Sequence, residues 1–198
     1  MRRTIFLALL GASISFSAHS QLHQVGVLFT KEAVPYSLAS PFVGPLHPGG
    51  AVFASWGPQT ATSWQTSWRA EAGFHHHAHF QQAAYLRASR QWQRSLGSGF
   101  ALDLGAGLGY LHTFFPDGRF QAGDDGVAQV RDFGRPSATA QVSLGLTWSP
   151  AALPDWQVLA QMQGWVEGPF APQWGVPVFP HTFVQFGIAK TLRTHEEG

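Results

Sequence analysis

Apolar and polar residues alternate along most of the chain, which is the period of a β-strand with one apolar face. Eight segments show this alternation between clusters of Gly, Pro, Ser or Asp. Their approximate bounds are 23–31, 48–57, 63–74, 83–94, 99–113, 136–148, 156–167 and 182–192. Most are longer than the five or six residues usual for soluble strands and match the roughly 9 to 11 that cross a bilayer at a tilt.

The segment 99–113 shows the pattern most clearly. One face carries Phe100, Leu102, Leu104, Ala106, Leu108 and Tyr110. The other face carries Asp103 and three glycines, Gly105, Gly107 and Gly109, which indicates close packing on that side. In 156–167 the faces are mixed, because Leu159 and Trp165 share a face with glutamines. The pattern therefore does not show which face of this segment points into the barrel.

The connections between the segments indicate a membrane barrel, because alternation alone also occurs in soluble barrels of the lipocalin kind. Short links at 58–62, 95–98 and 149–155 have tryptophans beside them, namely Trp56, Trp64, Trp92, Trp148 and Trp156. Long links at 32–47, 114–135 and 168–181 lie among Phe74, Phe80, Tyr110, Phe114, Phe115, Phe170 and Phe183. Two aromatic girdles, with short turns at the periplasmic side and long loops outside, are typical of transmembrane β-barrels.

The first twenty residues have the pattern of a secretory signal peptide. Arg2 and Arg3 precede an apolar run from Ile5 to Leu10, and small residues follow up to Ser20. The apolar run is shorter than the roughly 20 residues that a transmembrane helix needs. We therefore expect a signal peptide at 1–20 and a barrel domain at 21–198, with any membrane insertion made by strands.

The composition agrees with an exported membrane barrel. Charged residues make up 12% of the chain, against about 25% in ordinary soluble domains, and aromatics reach 14%. The cysteine count is zero, which removes disulfides and thiolate sites. The net charge is +1 and the basic residues are scattered, so nothing indicates nucleic-acid binding.

Over nearly its whole length after residue 20, the chain resembles the small outer-membrane barrels of the OmpA/OmpX/OmpW type. The resemblance lies in the eight alternating segments and in the spacing of Val184, Phe186, Ile188 and Leu192 in the last one. It implies an all-β, antiparallel, up-and-down transmembrane barrel in the cell outer membrane of a Gram-negative envelope. It also implies contact with outer-membrane lipid, with lipopolysaccharide and with the barrel-insertion machinery. Lys190 interrupts the terminal pattern, and 194–198 extends beyond it.

Alternation places four charged residues inside the predicted barrel: Arg69, Glu71, Arg87 and Asp103. Buried charges require partners, so we expect these side chains to pair with one another. An eight-stranded barrel has an interior just wide enough for side chains. The sequence therefore predicts a structural plug of ion pairs and glutamines, with a conductive or gated pathway as the alternative.

A histidine run at the predicted hairpin between the third and fourth segments is a candidate metal site. His75, His77 and His79 share one face if the segment is extended, and imidazoles bind zinc or copper. Nothing in the sequence supplies an obvious fourth ligand. The alternative is a polar hairpin tip whose histidines meet solvent.

The sequence identifies no catalytic residue and no cofactor. The lipid A deacylases, which resemble this architecture, place a histidine and a serine two residues apart on an outward face. Here His112 is followed two positions later by Phe114, so the nucleophile is missing. We therefore expect a non-enzymatic barrel with a structural or surface-interaction role and with envelope-protein partners that the sequence does not identify. A narrow channel or carrier for small or hydrophobic solutes and a lipid A-modifying hydrolase are the alternatives.

Overall fold

The computed structural model describes most of the chain after residue 20. The described ranges are 21–33, 47–57, 63–77, 81–115, 119–123, 126–130, 133–170 and 175–192. The predicted signal peptide, at 1–20, lies outside them. Within these ranges, no helix has the length and apolar character needed to span a membrane.

The described ranges contain ten strands. They are β1 (Leu22–Ala33), β2 (His47–Trp56), β3 (Trp64–His76), β4 (Gln82–Gly97), β5 (Phe100–Phe114), β6 (Arg119–Gly123), β7 (Gly126–Val130), β8 (Arg135–Trp148), β9 (Trp156–Gly168) and β10 (Phe179–Thr191). Eight of them form a closed barrel in the order β1-β10-β9-β8-β5-β4-β3-β2, and every neighbouring pair is antiparallel. The predicted eight-stranded up-and-down barrel is confirmed.

Strand β1 closes the barrel, because it pairs with β2 on one side and with β10 on the other. Phe29, for example, lies opposite Gly50 of β2 and Phe186 of β10. The first predicted strand therefore belongs to the barrel and is longer than the predicted 23–31. Closure matters physically, since a bilayer offers no water to hydrogen bond an open strand edge.

Strands β6 and β7 were not foreseen from the sequence. They pair with each other as a separate two-stranded sheet within the connection from β5 to β8. The predicted long loop 114–135 therefore contains a hairpin that stands apart from the barrel sheet.

The connections divide between two ends of the barrel. The short-connection end carries the links β2–β3, β4–β5 and β8–β9, and the long-connection end carries the others. Between β4 and β5, Gly97, Ser98 and Gly99 all have positive φ angles, of 91°, 52° and 79°. This backbone conformation allows a tight turn, so the link is shorter than the predicted 95–98. The β3–β4 link, 77–81, is also short although it lies at the long-connection end, so the predicted division by length is not strict.

The outward face of the barrel is apolar. Leu108 is 70% exposed and Val142 is 64% exposed, and both lie in the middle of their strands. Two outward-facing arginines lie nearer the short-connection end, where Arg90 lies over the Trp68 ring and Arg94 over the Trp64 ring, at 5.5 Å and 5.7 Å. Aromatic rings with long cationic side chains are what the boundary between hydrocarbon and headgroups favours.

The inward-facing side chains settle one question that the sequence left open and correct one prediction. In β9 the mixed face that carries Leu159 and Trp165 points inward, and both side chains are buried. Phe183 was expected in an outer aromatic girdle, but it is 1% exposed and lies inside the barrel. Its odd position in β10 places it on the same face as the buried Gln185, so alternation overrides its aromatic character.

The glycines of β5 make room for side chains of the neighbouring strands. A Cβ at Gly105 would lie 2.8 Å from the Gln91 amide nitrogen, and one at Gly107 would lie 2.6 Å from the Ser89 Cβ. These distances are shorter than van der Waals contact. The close packing predicted for these glycines is confirmed.

Candidate functional site

The interior polar side chains form three layers along the barrel axis. The cyclic strand order places β4 diametrically opposite β10 and β3 opposite β9. Side chains from opposite strands meet within the barrel, because eight strands enclose a space that side chains fill.

The middle layer is the lumen plug, which we define as Glu71, Tyr85, Arg87, Gln163, Trp165 and Phe183. Arg87 of β4 forms an ion pair with Glu71 of β3 and donates a 2.8 Å hydrogen bond to the Gln163 side-chain oxygen of β9. The Tyr85 hydroxyl donates to Glu71 at 2.8 Å, and the Trp165 indole donates to Gln163 at 3.0 Å. The bond from Arg87 to Gln163 joins β4 to β9 across the barrel, whereas the other bonds lie within β9 or between the adjacent strands β3 and β4.

Aromatic rings fill the rest of the lumen plug. The Arg87 guanidinium lies 4.4 Å from the centre of the Trp165 ring and 4.8 Å from the centre of the Tyr85 ring. Trp165 in turn lies 4.2 Å from Phe183, centre to centre. Trp165 and Phe183 are each 1% exposed, so side chains occlude the lumen at this level.

The layer at the long-connection end is a histidine–carboxylate cluster, made of Glu32, His75, Arg135, Glu167 and His181. His181 lies between two carboxylates, with its Nδ1 2.6 Å from Glu32 and its Nε2 3.2 Å from Glu167. Glu167 also accepts hydrogen bonds from Arg135 at 2.7 Å and from Ser137 at 2.8 Å. The His75 ring lies 3.5 Å from the other Glu32 oxygen. The cluster therefore links the four adjacent strands β8, β9, β10 and β1 with β3, which lies beyond β2.

The three histidines proposed as metal ligands do not converge in the described part of the chain. His75 is fully buried and faces Glu32, whereas the His77 ring stacks on His47 with centres 3.6 Å apart. His79 lies outside the described residues. No group of three His, Cys, Asp or Glu side chains placed to hold a metal ion occurs in the described ranges.

The expectation that these histidines simply meet solvent is wrong for His75. Strand β3 continues to His76, beyond the predicted end at residue 74. His75 therefore keeps the inward alternation of Glu71 and Gly73 and enters the lumen.

The third layer, at the short-connection end, is a polar cavity of about 210 Å³. Arg69 and Asp103 both contact it, but they do not pair with each other. The Arg69 Nε donates to the Ser55 hydroxyl at 3.3 Å, and its guanidinium lies 4.3 Å from the centre of the Phe53 ring. Asp103 accepts hydrogen bonds from Gln93 at 2.8 Å and from Thr147 at 2.5 Å.

Of the four lumen charges named from the sequence, the structure therefore brings together only Glu71 and Arg87 as an ion pair. Arg69 and Asp103 have neutral hydrogen-bond partners instead. Sequence reasoning missed Glu32, Glu167 and His181. Glu167 and Glu32 continue the inward alternation of β9 and β1. Extending the first predicted strand by one residue would have found Glu32. His181 precedes the predicted start of the last strand at 182.

His112 is on the outward face, near the long-connection end of β5. Its Nε2 lies 3.0 Å from the Phe133 carbonyl oxygen, so this nitrogen donates its proton. Its Nδ1 then accepts a 2.7 Å hydrogen bond from the Tyr110 hydroxyl. The Nε2 bond thus holds the segment before β8 against the barrel wall, and the Nδ1 bond to Tyr110 fixes the orientation of the ring.

Comparison with known proteins finds likeness in structure alone. No protein-family model matches the chain, and no curated protein sequence matches it. Neisserial surface protein A (NspA) matches with a TM-score of 0.58 at 12% identity, over 86% of this chain and 96% of that one. The N-terminal β-barrel domain of Pseudomonas aeruginosa OprF matches at 10% identity with a TM-score of 0.49, over 87% and 99% of the two chains.

The outer-membrane enzyme PagL matches at 10% identity with a TM-score of 0.48, over 85% of this chain and 99% of that one. At these lower scores neither PagL nor OprF adds to the fold assignment, which stands on NspA and on the strand order. This chain therefore has the fold of the small eight-stranded outer-membrane β-barrels.

Proposed function

We propose that this protein is a non-enzymatic barrel of the outer membrane, with a structural or surface-interaction role and a lumen closed to solutes. The observation that carries the proposal is the lumen plug, in which buried side chains from opposite walls meet. A wide aqueous pore is incompatible with that packing. The protein then acts through its outer surfaces rather than by passing solutes.

The outward face supports insertion into a bilayer. Large apolar side chains such as Leu108 and Val142 are more than half exposed along the barrel wall, which soluble proteins avoid over so large a surface. Arginine and tryptophan side chains stack near one end, as at a headgroup boundary. Export by a signal peptide at 1–20 and delivery to the outer membrane by the barrel-insertion machinery are parts of this proposal.

The long-connection end supports a surface role. The β6–β7 hairpin and the turn at 169–170 extend beyond the barrel strands, and Arg135 anchors the latter by donating to the Phe170 carbonyl oxygen at 2.8 Å. Loops held by a rigid barrel are suited to contact other molecules. Lipopolysaccharide and other envelope proteins are the partners that this position favours.

The environment of His112 argues against a hydrolase at that site. A histidine and serine hydrolase needs the serine hydroxyl within hydrogen-bond reach of the histidine. In this chain the hydroxyl that bonds to His112 is that of Tyr110, and the other ring nitrogen bonds to the Phe133 carbonyl oxygen. Lipid A from cells with and without the protein is therefore expected to give the same mass spectrum, whereas a protein-dependent loss or gain of an acyl chain would contradict a non-enzymatic role.

Conductance in planar bilayers tests the closed lumen directly. The wild-type protein is expected to give no reproducible single-channel steps, whereas a Trp165→Ala/Phe183→Ala variant, which removes two rings of the lumen plug, is expected to conduct. Val142→Ala serves as the matched control, because it shortens an apolar side chain on the outer wall. Reproducible wild-type steps that disappear on changing Arg87 would instead favour the narrow-channel alternative.

A further inference from the structure

The cavity at the short-connection end of the lumen has the features of a ligand site that no part of the proposed function uses. It lies on the opposite side of the lumen plug from the long connections, so it opens to one side of the membrane only. Along strand β3 the lining residues become more buried: Gln65 is exposed, Ser67 is half-buried and Arg69 is buried. Arg69 is therefore the deepest charged group that β3 presents to the cavity.

Arg69 carries hydrogen-bond donors that the described side chains do not use. The side chain is 8% exposed, and its only hydrogen bond in the described part of the chain runs from Nε to Ser55 at 3.3 Å. The ring of Phe53 covers one face of the guanidinium. The two terminal amino groups make no hydrogen bond to any described residue. A buried guanidinium in this state strongly favours an acceptor, above all an anionic one.

The neighbouring carboxylates do not supply this acceptor. Glu71 is held by Arg87 and by the Tyr85 hydroxyl, one layer further into the barrel. Asp103 contacts the cavity, but each of its oxygens already accepts a hydrogen bond, from Gln93 and from Thr147. No described carboxylate forms an ion pair with Arg69, so its terminal amino groups are available to an acceptor that enters the cavity.

The rest of the lining is suited to hydroxyl groups. Five glutamines contact the cavity, and each amide offers both a donor and an acceptor. Two of them, Gln91 and Gln93, extend from neighbouring inward positions of β4. The volume of about 210 Å³ equals about seven water molecules at roughly 30 Å³ each. A small molecule fits this space, whereas a lipid or a folded peptide does not.

We propose that this cavity binds a small hydroxylated organic anion, with its carboxylate or phosphate group on Arg69 and its hydroxyls on the surrounding glutamines. The guanidinium fork matches both oxyanions in a bidentate manner. The site is reached from the side of the short connections, which is the periplasmic side in the proposed orientation. Ligand binding here requires no passage through the barrel and is separate from the closed lumen.

Isothermal titration calorimetry on the full barrel in detergent micelles tests the proposal. D-glucuronate and D-glucose 6-phosphate serve as the carboxylate and phosphate probes, and D-glucose at matched ionic strength is the neutral control. The wild-type protein is expected to bind at least one of the two anions and to bind D-glucose at least about tenfold more weakly, since a charge-assisted hydrogen bond is lost. Equal binding of all three sugars, or binding of none, would overturn the proposal.

Variants assign the binding to Arg69. Arg69→Gln is expected to weaken anion binding at least about tenfold, whereas Arg94→Gln, an outward arginine at the same end, is expected to leave it unchanged. Heat-modifiable migration on a detergent gel shows whether each variant has folded. Ser67→Phe fills the cavity without removing an Arg69 partner, and it is expected to abolish binding in a folded barrel even if Arg69→Gln does not fold. Unchanged binding in either folded cavity variant contradicts the site.

Discussion

Breaking the buried ion pair between Glu71 and Arg87 is predicted to destabilise the barrel strongly, because one charge is then left buried alone. Replacing Arg87 by Met keeps much of the side-chain volume but leaves the Glu71 carboxylate buried without its cation. It also removes the donor to Gln163 and the cation over the Trp165 ring. Removing one partner of a buried pair costs about 3–5 kcal/mol, so Arg87→Met is expected to lower the free energy of unfolding by that amount.

A double variant measures the interaction between Glu71 and Arg87 apart from their contacts with other residues. Glu71→Gln retains an oxygen that accepts from Tyr85, but it removes the negative charge. In Glu71→Gln/Arg87→Met neither charge remains buried alone. The loss of stability is therefore expected to be smaller than the sum of the two single losses by about 2 kcal/mol, within the range found for residues in contact.

Equilibrium unfolding in detergent micelles, followed by tryptophan fluorescence over a denaturant series, measures these differences. Arg94→Met is the matched control, because its side chain stacks on Trp64 outside the barrel and its loss costs roughly 1 kcal/mol or less. A loss below about 1 kcal/mol for Arg87→Met, well under the cost of breaking a buried pair, would refute the reasoning. Strict additivity of the two single variants would also refute it.

Three further predictions concern the wall of the barrel. Leu108→Arg, on the exposed apolar face, is expected to lower stability in lipid vesicles by about 2–4 kcal/mol, whereas Leu153→Arg in a short connection is expected to change it by less than about 0.5 kcal/mol. Gly187→Ala would push a methyl group into the backbone of β1 and is expected to cost about 1–3 kcal/mol; Gly164→Ala, where the nearest atom is 3.9 Å away, is the control and should be near neutral in the same unfolding assay. His112→Ala is expected to speed amide hydrogen exchange at 133–134 without changing exchange in the barrel strands, and unchanged exchange there would show that the histidine does not hold this segment.

The inward and outward faces of the strands were predictable, because alternate residues of a β-strand point into the barrel and out of it. The strand ends were less predictable, since alternation does not show where ladder hydrogen bonding stops. His75 and Glu32 each lie one residue beyond the predicted end of their strand, and His181 lies one residue before the predicted start of the last strand. Most of the histidine–carboxylate cluster was missed for that reason.

The pairing of lumen side chains was not predictable from alternation. Which residues meet across a barrel depends on the stagger of the strands, and this is a property of the closed sheet as a whole. Arg87 therefore reaches Gln163 of the opposite wall, whereas Arg69, two residues earlier on β3 than Glu71, reaches no carboxylate. Phe183 was misassigned because aromatic residues are enriched both at membrane interfaces and in packed interiors.

Membrane fractionation followed by gel electrophoresis without and with boiling shows whether this chain forms a closed barrel in the outer membrane. We expect the protein in the outer-membrane fraction, and we expect it to migrate faster before boiling than after it, because the hydrogen-bonded barrel resists detergent until heated. Recovery as a soluble periplasmic protein whose migration does not change on heating would show that the chain is not a membrane barrel.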